Sequence, residues 1–369
     1  MKTTITTDLR IRAVTLVCCT IPVAPTILAA QWPGVEVTNV RRVFHNGEHN
    51  AFTDLVRWQG QLWLTFRSCP DGHSVYPTAS VIILSSSDGK EWAQGHSFRV
   101  TKRDTRDPHF LVFKDKLFVY TGTWYCGDAA PPRSDYTLNK HLGYAAWSAD
   151  GRQWHGPVML EGTFGHYIWR ASTFNGKAYL CGRRNREFDM TALGEGAIVE
   201  SAMLESDDGL IWRKRTLFQQ QRGDETAFLF EPDGTILGVG RRGGDKAQFL
   251  RSSLPYTRWE RRDFDRYVGG PLITRWGDRI VVGGRKSGAA LVGNRGPQTA
   301  LYWLDPHAKT EQALLTEFAE LPSGGDTSYP GFVELGPTRA LVSWYSSHEK
   351  DADGKTITAI YMADLETRK

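Results

Sequence analysis

Ionisable side chains recur in this sequence at matched places. Ahead of, or at the start of, successive apolar runs stand Glu48-His49-Asn50 with Asp54, Arg106-Asp107-Pro108-His109, His166-Tyr167-Ile168-Trp169-Arg170, Asp224-Glu225-Thr226 and Asp326-Thr327-Ser328-Tyr329. The runs that follow end on Arg67, Arg183-Arg184, Arg241-Arg242 and Arg285, and the last leads into Ser346-Ser347-His348. His, Glu, Asp and Tyr can move protons or attack carbon, and Arg binds carboxylates as a planar fork. Gathered in one pit, such a set suits acid–base or nucleophilic chemistry on an anionic molecule. Taken singly, Asp54 and Asp107 read equally well as braces of strand starts, and each His as a satisfied surface or core residue. Neighbours on a strand face opposite sides, so only one Arg of each pair can face a common site.

What must position these residues is a repeat. A short apolar strand, a tight polar turn and a second apolar strand recur around Gln59-Gly60, Lys114-Asp115, Asn175-Gly176, Asp233-Gly234, Gly277-Asp278 and Gly336-Pro337. Asn-Gly and Asp-Gly tolerate positive φ and are strong hairpin signals. The turns lie roughly 45 to 60 residues apart, the length of a four-stranded propeller blade. Helical periodicity is weak throughout. The expectation is an all-β chain folded as a six-bladed β-propeller of four-stranded antiparallel blades, with seven blades as the alternative. Val35–Phe44 is expected to close the ring as an outer strand beside the segment Ile357–Ala363.

A second pattern is laid over the first. Ser86-Ser-Asp-Gly-Lys-Glu-Trp92, Ser148-Ala-Asp-Gly-Arg-Gln-Trp154 and Ser206-Asp-Asp-Gly-Leu-Ile-Trp212 share Ser-x-Asp-Gly-x-x-Trp, and Ser252 to Trp259 reads as a decayed copy. Asp and Ser cap turn N–H groups, Gly supplies the special dihedral, and Trp packs between blades. The pattern resembles the Asp-box of sialidases and related propellers, where the boxes are structural.

That resemblance extends to two further segments. Asp224-Glu225, a strand, Asp233-Gly234 and then Gly238-Val-Gly-Arg241 is similar to the sialidase segment that supplies a Glu and, one hairpin later, a carboxylate-binding Arg. Ser328-Tyr-Pro-Gly-Phe332 followed by Ala340-Leu-Val-Ser-Trp-Tyr345 is similar to the segment that supplies the nucleophilic Tyr. The resemblance implies Tyr329 as nucleophile and Glu225 as the group that takes its proton. A neutral phenol escapes the repulsion that a carboxylate nucleophile meets at an anionic sugar. The opening strand departs from the sialidase pattern: Ala51-Phe-Thr-Asp-Leu55 stands where an Arg followed by Ile-Pro is expected, leaving Arg67, Arg170, Arg285 or Arg295 to complete an arginine clamp. His49-Asn-Ala-Phe-Thr-Asp-Leu55 instead resembles the entry segment of propellers that include rhamnosidases and rhamnose-glucuronate lyases, which implies a catalytic His49.

The candidate site is therefore His49, Glu225 and Tyr329 for chemistry, with Asp54, Arg67, His109, Arg170, Arg241, Arg285 and His348 binding substrate. The expected activity is that of a glycoside hydrolase on an acidic or rhamnose-capped glycan. A lyase cleaving a uronate linkage by β-elimination and a non-catalytic glycan-binding propeller are the alternatives. No metal or cofactor is expected, since no two His or carboxylates recur at ligand spacing on one strand. Nucleotide binding is disfavoured, because Gly240-Arg-Arg-Gly-Gly244 ends a hairpin rather than opening a helix.

Composition sets the remaining bounds. The net charge of +4 is spread along 369 residues without a basic tract, which argues against nucleic acid. Lys2, Arg10 and Arg12, the apolar stretch Ala13–Leu28 and Ala29-Ala30 lay out a leader over residues 1–30, followed by one domain, 31–369. Secretion or periplasmic export, no membrane contact after leader removal and a monomeric state are the corresponding expectations. Cys69, Cys126 and Cys181 remain after the leader, too few and too scattered for a disulfide framework.

Overall fold

A computed structural model describes Met1 and residues 32–189, 198–287 and 296–368. The expected leader, apart from Met1, and Arg295 lie outside the described residues. Every element below belongs to the unit Pro33–Lys369.

The strands run in chain order, and the hairpins expected from the turn pairs all form. After β1 (Val35–Phe44) come β2 (His49–Trp58), β3 (Gln61–Cys69), β4 (Ser80–Ser86) and β5 (Ala93–Phe98). Four separate antiparallel blades follow. They are β6 (Arg103–Phe113) to β7 (Lys116–Tyr125), β8 (Leu142–Ser148) and β9 (Trp154–Met159); β10 (Tyr167–Phe174), β11 (Lys177–Asn185), β12 (Val199–Ser206) and β13 (Arg213–Gln219); β14 (Thr226–Phe230), β15 (Ile236–Gly240), β16 (Gln248–Ser252) and β17 (Glu260–Asp263); and β18 (Gly269–Trp276), β19 (Arg279–Lys286), β20 (Gln298–Leu304) and β21 (Leu315–Leu321). Last are β22 (Thr327–Gly336), β23 (Arg339–Lys350) and β24 (Thr356–Thr367).

The sheet pairing corrects the expectation of six or seven four-stranded blades. The propeller has four separate four-stranded blades, and the remaining strands make one eight-stranded sheet, in the order β22-β23-β24-β2-β3-β4-β5 with β1 also on β24. The physical reason lies at the seam: His49 pairs in parallel with Thr358, joining β2 to β24, so the first and last hairpins share one hydrogen-bonded sheet. Counting hairpins along the chain cannot reveal a pairing between its two ends. The closing strand is as expected, with β1 antiparallel to β24 from Val35↔Thr367 to Phe44↔Ile360. The pairing consumes an edge that would otherwise invite another chain.

Period-two alternation builds the core. Along β7, Leu117 and Val119 pack one way, onto Trp58, Trp63, Val81 and Ile83, whereas Phe118 and Tyr120 pack the other way, onto Ala178, Leu180 and Trp212. One strand thus contributes to two inter-blade layers, each buried Leu, Val or Phe adding about 1.5–3 kcal/mol. The three Ser-x-Asp-Gly-x-x-Trp segments fold into the same turn. In the first, Ser86 Oγ accepts from Gly89 N at 2.9 Å and Asp88 Oδ1 from Lys90 N at 2.8 Å; Ser148 with Asp150 and Ser206 with Asp208 repeat the arrangement. Trp154 lies against Trp63 and Trp212 against Tyr120, each bridging to the preceding sheet. These turns join third strands to fourth. By antiparallel order they fall at the sheet ends opposite the starts of β2, β6, β10, β14, β18 and β22. Cys69, Cys126 and Cys181 are buried free thiols.

Candidate active site

The innermost strands carry a shared irregularity. Register shifts interrupt β2 between Ala51 and Asp54, β6 between Arg106 and His109, β10 between Ile168 and Ala171, β18 between Gly269 and Leu272, and β22 between Ser328 and Gly331. At these bulges Phe52 (φ 64°), Asp107 (φ 50°), Gly270 (φ 56°) and Tyr329 (φ 52°) adopt left-handed backbone. A bulge kinks its strand and re-aims one side chain. For a non-glycine residue that backbone costs on the order of 1–3 kcal/mol, retained only where surrounding structure enforces it. Here the bulges bring Phe52 and Tyr329 together, with ring centroids 5.0 Å apart.

Tyr329 and Glu225, distant in sequence, meet. The Tyr329 hydroxyl donates to Glu225 Oε1 at 2.6 Å. Glu225 Oε2 accepts from Arg241 Nη1 at 2.9 Å and from Gly270 N at 3.1 Å, and the same Arg241 nitrogen lies 3.3 Å from the phenol oxygen. Arg285 lies over the Tyr329 ring at 5.5 Å and donates to Tyr345 Oη at 2.9 Å. Burial, then the Glu225 charge, raise the Tyr329 phenol well above its ordinary pKa against the pull of Arg241, so it is neutral at physiological pH. Among the described residues, Arg241 Nη2 and Arg285 Nη1 take no protein acceptor, which leaves two guanidinium edges for an anion.

A second group flanks this one. Asp107 Oδ2 accepts a short hydrogen bond from the Tyr167 hydroxyl, while Oδ1 is buried without a partner among the described residues. Burial, with Arg106 opposing and Glu225 reinforcing, pushes the Asp107 carboxyl up to about 7. Arg106 lies over the Phe52 ring at 5.1 Å and donates to the His73 carbonyl at 2.6 Å.

A third group centres on Asp326. Its Oδ2 lies 2.9 Å from His49 Nε2 and 2.7 Å from His73 Nδ1, and its Oδ1 accepts from Tyr345 Oη at 2.8 Å. Burial favours protonation of Asp326, but the two imidazole hydrogen bonds and nearby cationic charge outweigh it and hold the carboxyl far below its usual range. Burial is also the main cause lowering the His49 pKa.

The other candidates sit elsewhere. Arg67 is 0% exposed and spends its donors on Asp104, Gly72 O and Ser74 O. Arg170 ties β10 to β2, β18 and β22, donating to Asp54 Oδ1 at 3.0 Å, Pro271 O at 2.8 Å and Pro330 O at 2.7 Å. Asp54 also accepts from Phe110 N, and buried His109 lies beside it, edge-on to Trp169. Burial opposes ionisation of Asp54, yet Arg170 and His109 hold its pKa below normal; burial and Arg170 lower His109 to about 4. His348 contacts Ser346 Oγ at 2.9 Å and the Tyr361 ring, outside the three groups.

No protein-family model matches this chain, and no curated protein does. Among solved structures, a Dyadobacter fermentans protein of unknown function is similar at TM-score 0.72 and 21% identity, over 91% of this chain and 100% of that one. Phage phi92 endosialidase is similar at TM-score 0.67 and 10% identity, over 90% and 69% of the two chains. Trypanosoma rangeli sialidase in complex with sialic acid follows at TM-score 0.62 and 12% identity; the match covers 91% of this chain and 59% of the sialidase. The likeness is one of fold. Such a propeller hosts many activities, so function must be argued from the site.

His73 and Tyr345 carry site contacts not expected from the sequence, and Asp107, equally a strand-start brace by sequence, gains weight from its bond to Tyr167. His73 lies between β3 and β4, away from any strand start, and nothing in its neighbourhood marks it. Tyr345 has a signal in the sequence: like Arg241 and Arg285 it lies on or just past the second strand of a hairpin, immediately before Ser346-Ser347-His348.

Proposed function

We propose that this protein is an exported glycoside hydrolase that cleaves an anionic glycan through a tyrosine nucleophile. The observation that carries the reading is the 2.6 Å hydrogen bond from Tyr329 to Glu225, bracketed by Arg241. Export rests on the leader pattern of residues 1–30, and the glycan class on the free guanidinium edges together with the fold shared with sialidases.

In the proposed first step Tyr329 Oη bonds to the anomeric carbon as its proton passes to Glu225 Oε1. The bond to the leaving oxygen breaks, and Asp107 supplies that oxygen with a proton. Its raised pKa keeps a substantial protonated fraction near neutral pH, as a general acid requires. Water then attacks the same carbon, Asp107 takes a proton from the water, and Tyr329 leaves and recovers its proton from Glu225. Arg241 and Arg285 hold the substrate carboxylate and offset the charge at Glu225. Arg67 and Arg170 have no part in this, since both are buried and each of their guanidinium nitrogens already has a protein acceptor.

The test is a panel of sialylated, uronate-rich and rhamnose-capped glycans with product masses determined. Hydrolysis adds the mass of water across the products; elimination leaves an unsaturated uronate that absorbs in the ultraviolet. Tyr329→Phe and Glu225→Gln are each expected to lower kcat by at least about 100-fold. Full turnover by both variants, or binding with no product from any glycan, would overturn the proposal.

A further inference from the structure

The carboxylate of Asp326 gathers two imidazoles from separate elements. His49 opens β2, His73 lies in the segment after β3, and Asp326 precedes β22. The three donor atoms, His49 Nε2, His73 Nδ1 and Asp326 Oδ2, all lie within 4.8 Å of one another. The expectation of no metal follows from the absence of paired ligands on one strand, but ring closure assembles this set from both ends of the chain.

We propose that His49, His73 and Asp326 form a binding site for one divalent transition-metal ion of the zinc class. Two imidazole nitrogens and one carboxylate oxygen are the donor set of an open, three-ligand site; calcium and magnesium prefer all-oxygen shells. Around a tetrahedral zinc, donor atoms stand about 3.3 Å apart, so the imidazole nitrogens, now 2.9 and 2.7 Å from the carboxylate oxygen and within 4.8 Å of each other, must move out from that oxygen and adjust to one another to admit the ion. His73 has room to do so, its side chain being 53% exposed, whereas His49 is 10% exposed and set in the sheet. The other carboxylate oxygen is fixed by Tyr345 Oη at 2.8 Å, an outer partner that orients the ligand. Arg285 Nη2, 3.4 Å from that oxygen, weakens the attraction for a cation. The site is therefore expected to bind in the micromolar range, weaker than closed structural zinc sites.

The ion would sit beside the anion-binding pit. The Phe52 ring neighbours both the His73 ring and the Tyr329 ring, at centroid separations of 5.8 and 5.0 Å. Because the His73 side chain is half-exposed, an ion held there would be open to solvent on that side, where a hydroxyl or carboxylate of a bound glycan can enter.

The test needs no substrate, so it stands or falls apart from the proposed hydrolysis. Tag-free full chain is stripped with a chelator, dialysed and titrated with zinc chloride by calorimetry and by competition with a fluorescent zinc indicator. One equivalent is expected to bind. His73→Ala is expected to weaken that binding by more than about 100-fold, beyond the loss caused by removing an outer partner alone. Asp326→Asn is expected to do the same, and His155→Ala, at a surface histidine of β9, to bind as the parent does. Absence of saturable binding, or binding by His73→Ala equal to the parent, overturns the proposal. If Asp326→Asn fails to fold by circular dichroism, the His73 variant decides alone.

Discussion

Gly270→Ala probes whether the position of Tyr329 matters for turnover. Gly270 has φ 56°, and a Cβ there would stand 2.5 Å from Tyr329 Cδ2 and 2.7 Å from Cε2 and Cγ. Ordinary carbon contacts are about 3.5–4.0 Å, so the ring must retreat by roughly 1 Å. The left-handed backbone costs an alanine about 1–2 kcal/mol, and the forced repacking about 1–3 kcal/mol more. Retreat of the ring pulls the phenol away from Glu225, now at 2.6 Å, and a misplacement of about 1 Å at a reacting group costs around 100-fold in rate. Gly277→Ala is the matched control. It has φ 61° with nothing within 4 Å of the added carbon, so it bears the backbone cost alone. The assay is urea denaturation of both variants together with kcat on whichever glycan the panel identifies. The expected result is a larger loss of stability in Gly270→Ala than in Gly277→Ala, with turnover lost only in the former. Equal stability losses together with full turnover in Gly270→Ala would refute the reasoning, because the ring would then neither clash nor need its place.

Two further outcomes follow from the same geometry. Arg170→Ala removes the partner of buried Asp54 and unties Pro271 O and Pro330 O, so urea denaturation should show a loss of about 3–5 kcal/mol, the cost of stranding a buried charge; a loss below about 1 kcal/mol would show that these ties carry little. The pKa of Asp107 is raised in the fold from 3.8 to about 7, so its stabilising share is complete below the unfolded value and is lost as pH rises through about 7. The proton-donating form vanishes over the same range, so kcat should fall above about pH 7. In Asp107→Asn that limb should disappear and kcat drop by about 100-fold or more, and a parent-like pH profile in this variant would remove Asp107 from the mechanism.

Much of the architecture was legible because it depends on local chemistry. Asn175-Gly176, Asp233-Gly234 and Gly277-Asp278 make hairpins through backbone preferences that need no distant partner, and Ser86, Ser148 and Ser206 cap their turns within a few residues. The repeat also places Glu225 and Tyr329 at matching strand starts, while their pairing was what the resemblance to sialidase segments implied.

Elsewhere tertiary structure decided. The pairing of His49 with Thr358, which merges the first and last hairpins into an eight-stranded sheet, is a contact between chain ends that hairpin counting cannot weigh. The roles of the arginines were equally hidden: Arg67 ends its run just as Arg241 and Arg285 do, and Arg170 stands at a strand start, yet Arg67 and Arg170 are spent on buried carbonyls and carboxylates, whereas Arg241 Nη2 and Arg285 Nη1 take no protein acceptor among the described residues. Local preferences act over a few bonds and can be read along the chain. Burial and charge pairing depend on which groups the closed ring brings within a few ångströms, and for that the whole fold is needed.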